Sequence, residues 1–198
     1  MARIATLFAL LLAAALAAAQ TPTLRVRGDV VALDGTTLSV RTRAGEPLTI
    51  RLADDYAVVA VVAVDAAAIA TGRFVGAGTL PQPDGTLTAL EVLVFPEAAR
   101  GSNEGHYPWD REPGGMMTNA TVADVVRGDG RQRLTLRYKD GEKTVDVPAG
   151  APVVTFEPGE RAMLVPGAHL ILTAARRPDG TLTASRVVVG RNGLVPPM

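Results

Sequence analysis

The heptapeptide Pro83-Asp84-Gly85-Thr86-Leu87-Thr88-Ala89 returns letter for letter as Pro178-Asp179-Gly180-Thr181-Leu182-Thr183-Ala184, 95 positions later. The same offset carries Asp29-Val30-Val31 onto Asp124-Val125-Val126, Asp34-Gly35 onto Asp129-Gly130, Val58-Val59 onto Val153-Val154, and Gly72 onto Gly167. Matches spread over a whole period, rather than confined to one motif, mean two copies of one structural unit.

Each copy reads as short strands between turns. In the first, Leu24 to Leu33 is expected as a strand, Asp34-Gly35 as a hairpin turn, and Leu38, Val40 and Thr42 as alternating positions of a half-buried strand. Leu48, Ile50 and Leu52 alternate again, and Ala57 to Val64 is a continuous apolar run expected as a strand buried on both faces. Asp65 is placed to cap a short helical turn through Ala70. A hairpin from Arg73 to Phe95 closes the unit. Alternation breaks at corresponding places in the two final strands, near Leu90 and Ser185, which predicts a β-bulge in each. Six short strands with one bulge point to a small closed barrel, which leaves no free edges; an open sandwich is the second possibility. The expected fold class is all-β: two tandem, six-stranded, OB-like barrels. The division is 24–95 for the first, 96–118 for a linker, 119–190 for the second, and 191–198 for an extended tail.

Ahead of the first copy, residues 1–19 have the form of a cleavable signal peptide: Arg3, an apolar stretch from Ile4 to Leu16, then Ala17-Ala18-Ala19. The stretch is shorter than the ~20 residues a membrane span needs. The expectation is a periplasmic or extracellular protein with no membrane span in the mature chain. The chain has no cysteine, so thiol chemistry, Fe–S clusters and Cys-ligated zinc are excluded. Loss of Arg3 leaves 19 basic against 20 acidic residues, scattered and not clustered. Nucleic-acid binding needs a concentrated positive surface and usually exposed aromatics. With aromatics at 4% of the chain, no nucleic-acid partner is expected.

Few residues suit catalysis. Serine occurs only as Ser39, Ser102 and Ser185, and the sole imidazoles are His106 and His169. His169 falls at the repeat position of Phe74, which marks a packing site. Asp54-Asp55 is expected as a solvated turn before the buried strand. No enzymatic activity is expected.

The linker is the dense cluster. It holds Trp109, the single Trp of the chain, with His106, Glu104, Asp110, Glu112, Met116 and Met117, broken by glycines and prolines. A flexible linker would need no Trp, so this one is expected to be ordered, with Trp109 at least half buried. Two readings stay open. Met and Trp are ordinary staples for pinning a loop to an apolar surface. Imidazole and thioether donors also suit copper, with His106, Met116, Met117 and Glu104 as ligands under Trp109.

Over essentially the whole mature length the chain resembles a bacterial family of exported proteins built from a small β-rich domain of unknown function. The pattern is Asp34-Gly35, Gly72-Arg73-Phe74-Val75, Asp84-Gly85-Thr86-Leu87-Thr88-Ala89, and in the middle Arg100-Gly101, Glu104-Gly105-His106, Pro108-Trp109-Asp110 and Met117-Thr118-Asn119-Ala120, with Pro196-Pro197-Met198 at the close. Relatives of this kind are sometimes labelled as metal-transport components, which implies a metal. His106, Trp109, Met116 and Met117 are also similar in type to the Cu(I) site of small periplasmic copper carriers. The expected function is an exported binding or accessory protein that holds copper at the linker. The alternative is an envelope protein-interaction module without metal.

Overall fold

The computed structural model describes residues 22–197. The signal segment expected at 1–19 lies outside them, as does Met198. Among the described residues the protein is all-β: twelve strands in one hydrogen-bonded system, with four short 3-10 turns. Among the described residues no helix is long and apolar enough to cross a membrane.

The N-terminal meander is β1 (Thr23–Asp34), β2 (Thr37–Thr42) and β3 (Pro47–Ala63). A hairpin follows, β4 (Phe74–Pro81) and β5 (Leu87–Val94). After β6 (Gly105–Pro108) a second meander runs β7 (Met116–Gly128), β8 (Arg131–Tyr138) and β9 (Gly141–Val147). Then come β10 (Val153–Pro158) and a last hairpin, β11 (His169–Arg176) and β12 (Leu182–Gly190).

The rings are not tandem. β1, β2 and β3 close a five-stranded barrel with β11 and β12 from the far end of the chain: β1 pairs antiparallel with β11, and β3 parallel with β12. β7, β8 and β9 take the complementary hairpin. β4 pairs antiparallel with β7, and β5 closes on β9 through a short parallel contact, Leu87 to Val145 and Thr88 to Asp146. Each ring therefore has five strands, not the six expected, and each draws on both 24–95 and 119–190. The sixth apolar run, Ala57 to Val64, is the far half of β3 and not a separate strand.

The two rings are joined where that half of β3 runs antiparallel to β10. Val59 pairs with Pro158, Val61 with Phe156 and Ala63 with Val154. Positions 95 apart thus exchange roles across the seam. β3 continues into the parallel contact with β12, and β10 into the matching contact with β5.

Alternation explains the cores. Val26, Val40, Ile50 and Leu172 point into the first ring, and Val75, Leu134, Leu136 and Val145 into the second, all at most 3% exposed. Each such side chain contributes about 1.5–3 kcal/mol through burial. A third cluster lies between the rings, built on Val61, Phe74, Leu93, Phe95, Val154 and Ile171. Phe95 packs against Phe74 with centroids 5.2 Å apart and edge-on to Phe156 at 6.2 Å.

Bulges fall where alternation breaks. β5 skips Leu90 opposite Gly78 and Thr79, and β12 skips Ser185 opposite β3. Asp65 accepts from Ala67 N at 2.7 Å and caps the expected turn, Ala66–Ala68. Three local expectations are corrected. Asp54 and Asp55 lie within β3, at its bend opposite the Ser185 bulge, and not in a loop. The first hairpin turn is Gly35-Thr36, between paired Asp34 and Thr37, whereas Asp129 and Gly130 form the second. The tail opens with a 3-10 turn, Arg191–Gly193, before extending to buried Pro196 and Pro197.

Candidate functional site: the cleft under the linker

The linker folds into a compact element over one side of the seam. β6 pairs with the start of β7, so Met116 and Met117 are strand residues. Between these strands the chain reverses: Trp109 N donates to Gly115 O and Gly115 N to Glu112 O, both at 2.8 Å. Trp109 is 8% exposed, within the burial expected of it. Its indole lies flat against β4, where a Cβ added at Gly78 would come within 2.6 Å of the ring. Only glycine at that position lets the stack form.

The two residues after Trp109 are ionic anchors. Asp110 accepts from Arg27 of β1 through both oxygens, at 2.7 and 3.0 Å. Those hydrogen bonds hold the Asp110 carboxyl below its ordinary pKa. Arg111 donates to Glu91 of β5 at 2.5 Å and also to Pro197 O, while its guanidinium lies 5.5 Å from the Trp109 ring. Arg43 approaches Pro196 O at 3.5 Å. Three consecutive linker residues thus touch both rings and the C-terminal tail. The motifs Pro108-Trp109-Asp110 and Pro196-Pro197, far apart in sequence, share one neighbourhood.

Glu91 is 1% exposed. Burial pushes its carboxyl up to about 7, against the opposing pull of Arg111, Arg27 and Arg43. Glu91 was not singled out from sequence. Its signal was a lone carboxylate inside the apolar run Leu90 to Phe95.

Beneath the linker and beside the seam is a cleft of about 500 Å³. Its floor is the inter-ring apolar cluster, with Leu93, Phe95, Ile171 and Val188. Tyr107, Trp109 and Met117 of the linker and β7 line it, as do Arg25 of β1 and Arg186 of β12. Asn119 Nδ2 donates to Ser102 O at 3.1 Å and Tyr107 Oη at 3.0 Å, which fixes the Tyr107 wall. Burial raises the Tyr107 phenol above its ordinary pKa.

The proposed copper ligands divide between the two faces of the β6–β7 ribbon. His106 pairs with Thr118 and bonds its Oγ1 through Nδ1 at 2.9 Å. Its ring stacks on Tyr138 at 6.4 Å. Burial, then Lys143, lowers its pKa, so the imidazole is neutral at neutral pH. Met116, two residues from Thr118, falls on the His106 face. Met117 pairs with Tyr107 and falls on the opposite one, toward the cleft and Trp109. Glu104 turns away, and its Oε1 accepts from Lys139 N at 3.0 Å. Among the described residues, no three of His, Asp and Glu gather as a metal-ligand group. His169, at the repeat position of Phe74, accepts no such cluster either; its Nδ1 meets Asp29 Oδ1 at 2.6 Å.

Comparison with protein-family models, curated proteins and solved structures finds no match to this chain.

Proposed function

We propose that this chain is an exported, non-enzymatic binding protein in which the linker clasps two OB-like rings and roofs a ligand cleft between them. The OB-like reading is supported by strand order. In each ring a three-stranded meander closes on a hairpin, with the third and last strands parallel. The observation that carries the binding reading is the cleft itself. It is concave, apolar at its floor, of small-molecule size, and assembled from both rings and the linker. A non-enzymatic role is supported by the hydroxyl chemistry: the Thr118 hydroxyl, which meets the His106 imidazole, is fully buried and offers no access to a substrate.

Titration with the uncharged fluorophore N-phenyl-1-naphthylamine tests the site. One molecule is expected to bind per chain, and Ala99→Trp, at the half-exposed rim, is expected to block it. Absence of binding, or binding indifferent to Ala99→Trp, overturns the reading. Export is tested by the N-terminus of protein recovered from the cell envelope, which is expected to begin at Gln20.

A second reading puts one Cu(I) on the ribbon face that continues into the second ring's core side. It is supported by His106 and Met116 sharing that face, with imidazole Nε2 as the nitrogen not bonded to Thr118.

A further inference from the structure

We infer that the cleft takes an amphipathic organic anion, its apolar body on the floor and its carboxylate, sulfonate or phosphate group between Arg25 and Arg186. This rests on the binding reading above and specifies its ligand.

The placement follows from strand register. Arg25 of β1 pairs directly with Thr173 of β11. Thr173 in turn faces the stretch of β12 that carries Arg186, where pairing is interrupted between Ile171 to Val188 and Ala175 to Thr183. Two guanidinium groups and one hydroxyl therefore line a single wall, across three adjacent strands. The register of β11 on β12 shifts by one residue at this level.

Charge balance at that wall is incomplete. Among the described residues neither Arg25 nor Arg186 has a carboxylate within ion-pair distance. The one carboxylate lining the cleft, Asp110, is held by both oxygens on Arg27. Desolvation, then the neighbouring Arg27, lower the pKa of Arg25, against the weaker opposing pull of Asp110, Tyr107 and Glu91. An anion entering here meets two guanidinium groups with no carboxylate at ion-pair distance, Arg25 feeling Asp110, Tyr107 and Glu91 only beyond it. Arg186 also lies 5.8 Å from the Phe156 ring, which holds its stem across the edge of the apolar floor. A guanidinium pair beside a hydroxyl suits oxyanions of planar or tetrahedral shape. The floor, lined by Leu93, Phe95, Ile171 and Val188, offers nothing polar, so a small inorganic ion would leave it unused.

The test compares two probes of similar apolar shape. 8-Anilinonaphthalene-1-sulfonate carries an anionic group, and N-phenyl-1-naphthylamine carries none. Both are titrated into the folded protein and into the Arg25→Gln/Arg186→Gln variant. Both substitutions are at exposed positions, and an unchanged melting temperature verifies folding. The sulfonate is expected to lose about tenfold or more in affinity in the variant, and the neutral probe about twofold or less. Added salt is expected to weaken only the sulfonate. If wild type binds both probes but the variant holds the sulfonate as tightly as wild type, the anion inference falls and the binding reading stands. If wild type binds neither, both fall.

Discussion

Arg111 and Glu91 link the linker to a carboxylate that solvent scarcely reaches: Nη1 donates to Oε2 over 2.5 Å, with Glu91 on β5 at 1% exposure. The same guanidinium also holds Pro197 O. The pair joins the roof of the cleft, the second ring and the tail at one point.

The pH dependence of stability is expected to follow Glu91. Its carboxyl is raised from 4.5 to about 7 in the folded state, where Arg111, Arg27, Arg43 and Arg25 face it. The folded state binds this proton more tightly than the unfolded chain. Its contribution is therefore full below about pH 4.5 and is lost as pH rises through about 7. A shift of that size corresponds to about 3 kcal/mol. Denaturant melts across pH 4 to 8 are expected to show wild type losing stability relative to Glu91→Gln over that window. A constant difference between the two proteins would refute the assignment.

Gly78→Ala is expected to expel the indole of Trp109 from its seat. The new Cβ would meet ring atoms at 2.6 Å, and β4 is held on both sides by β5 and β7. Overpacking of this kind costs about 1–3 kcal/mol. Thermal unfolding gives the loss, and a red shift of Trp109 emission identifies its cause. Trp109→Ala removes the packing outright and is expected to cost about 3–5 kcal/mol.

Metal at the ribbon, if it binds, discriminates between the two methionines. Met116 shares a face with His106 and Met117 does not. Anaerobic Ag(I) titration is expected to lose its one-to-one endpoint in His106→Ala and Met116→Ala, and to keep it in Met117→Ala. Equal effects of the two methionine variants would place the ligands elsewhere.

Cutting the linker is expected to leave the molecule whole. A protease site inserted at the exposed turn 101–103 severs the chain between copies. Each product still supplies a hairpin that closes the other's meander. The fragments are expected to coelute on size exclusion and to separate only in denaturant. Two independently folded fragments would contradict the exchanged pairing.

Local structure was legible in the sequence because it is written in local chemistry. The bulges at Leu90 and Ser185, the cap at Asp65 and the burial of Trp109 follow from periodicity, capping geometry and the cost of exposing an indole. The exchange of hairpins was not legible. Two copies with matching hairpins offer matching faces to either meander, so alternation cannot say which hairpin goes where. The cleft was hidden for the same reason, since Arg25, Tyr107 and Arg186 meet only once the rings are interleaved. Asp54 and Asp55 misled because a bend within a long strand carries the same residues as a turn.

The interleaving also governs how the chain reaches its native state. Val58 on β3 waits for Val187, 129 positions downstream, before its parallel edge is covered. Contacts this distant slow folding and leave strand edges open in the meantime. A nascent chain holds the first three strands of a ring long before the hairpin that shuts it in the native pairing has been made. The final hairpin is thus the part of the sequence on which native assembly of the first depends, and a truncation that spares the whole first copy removes both strands that close that barrel in the native pairing.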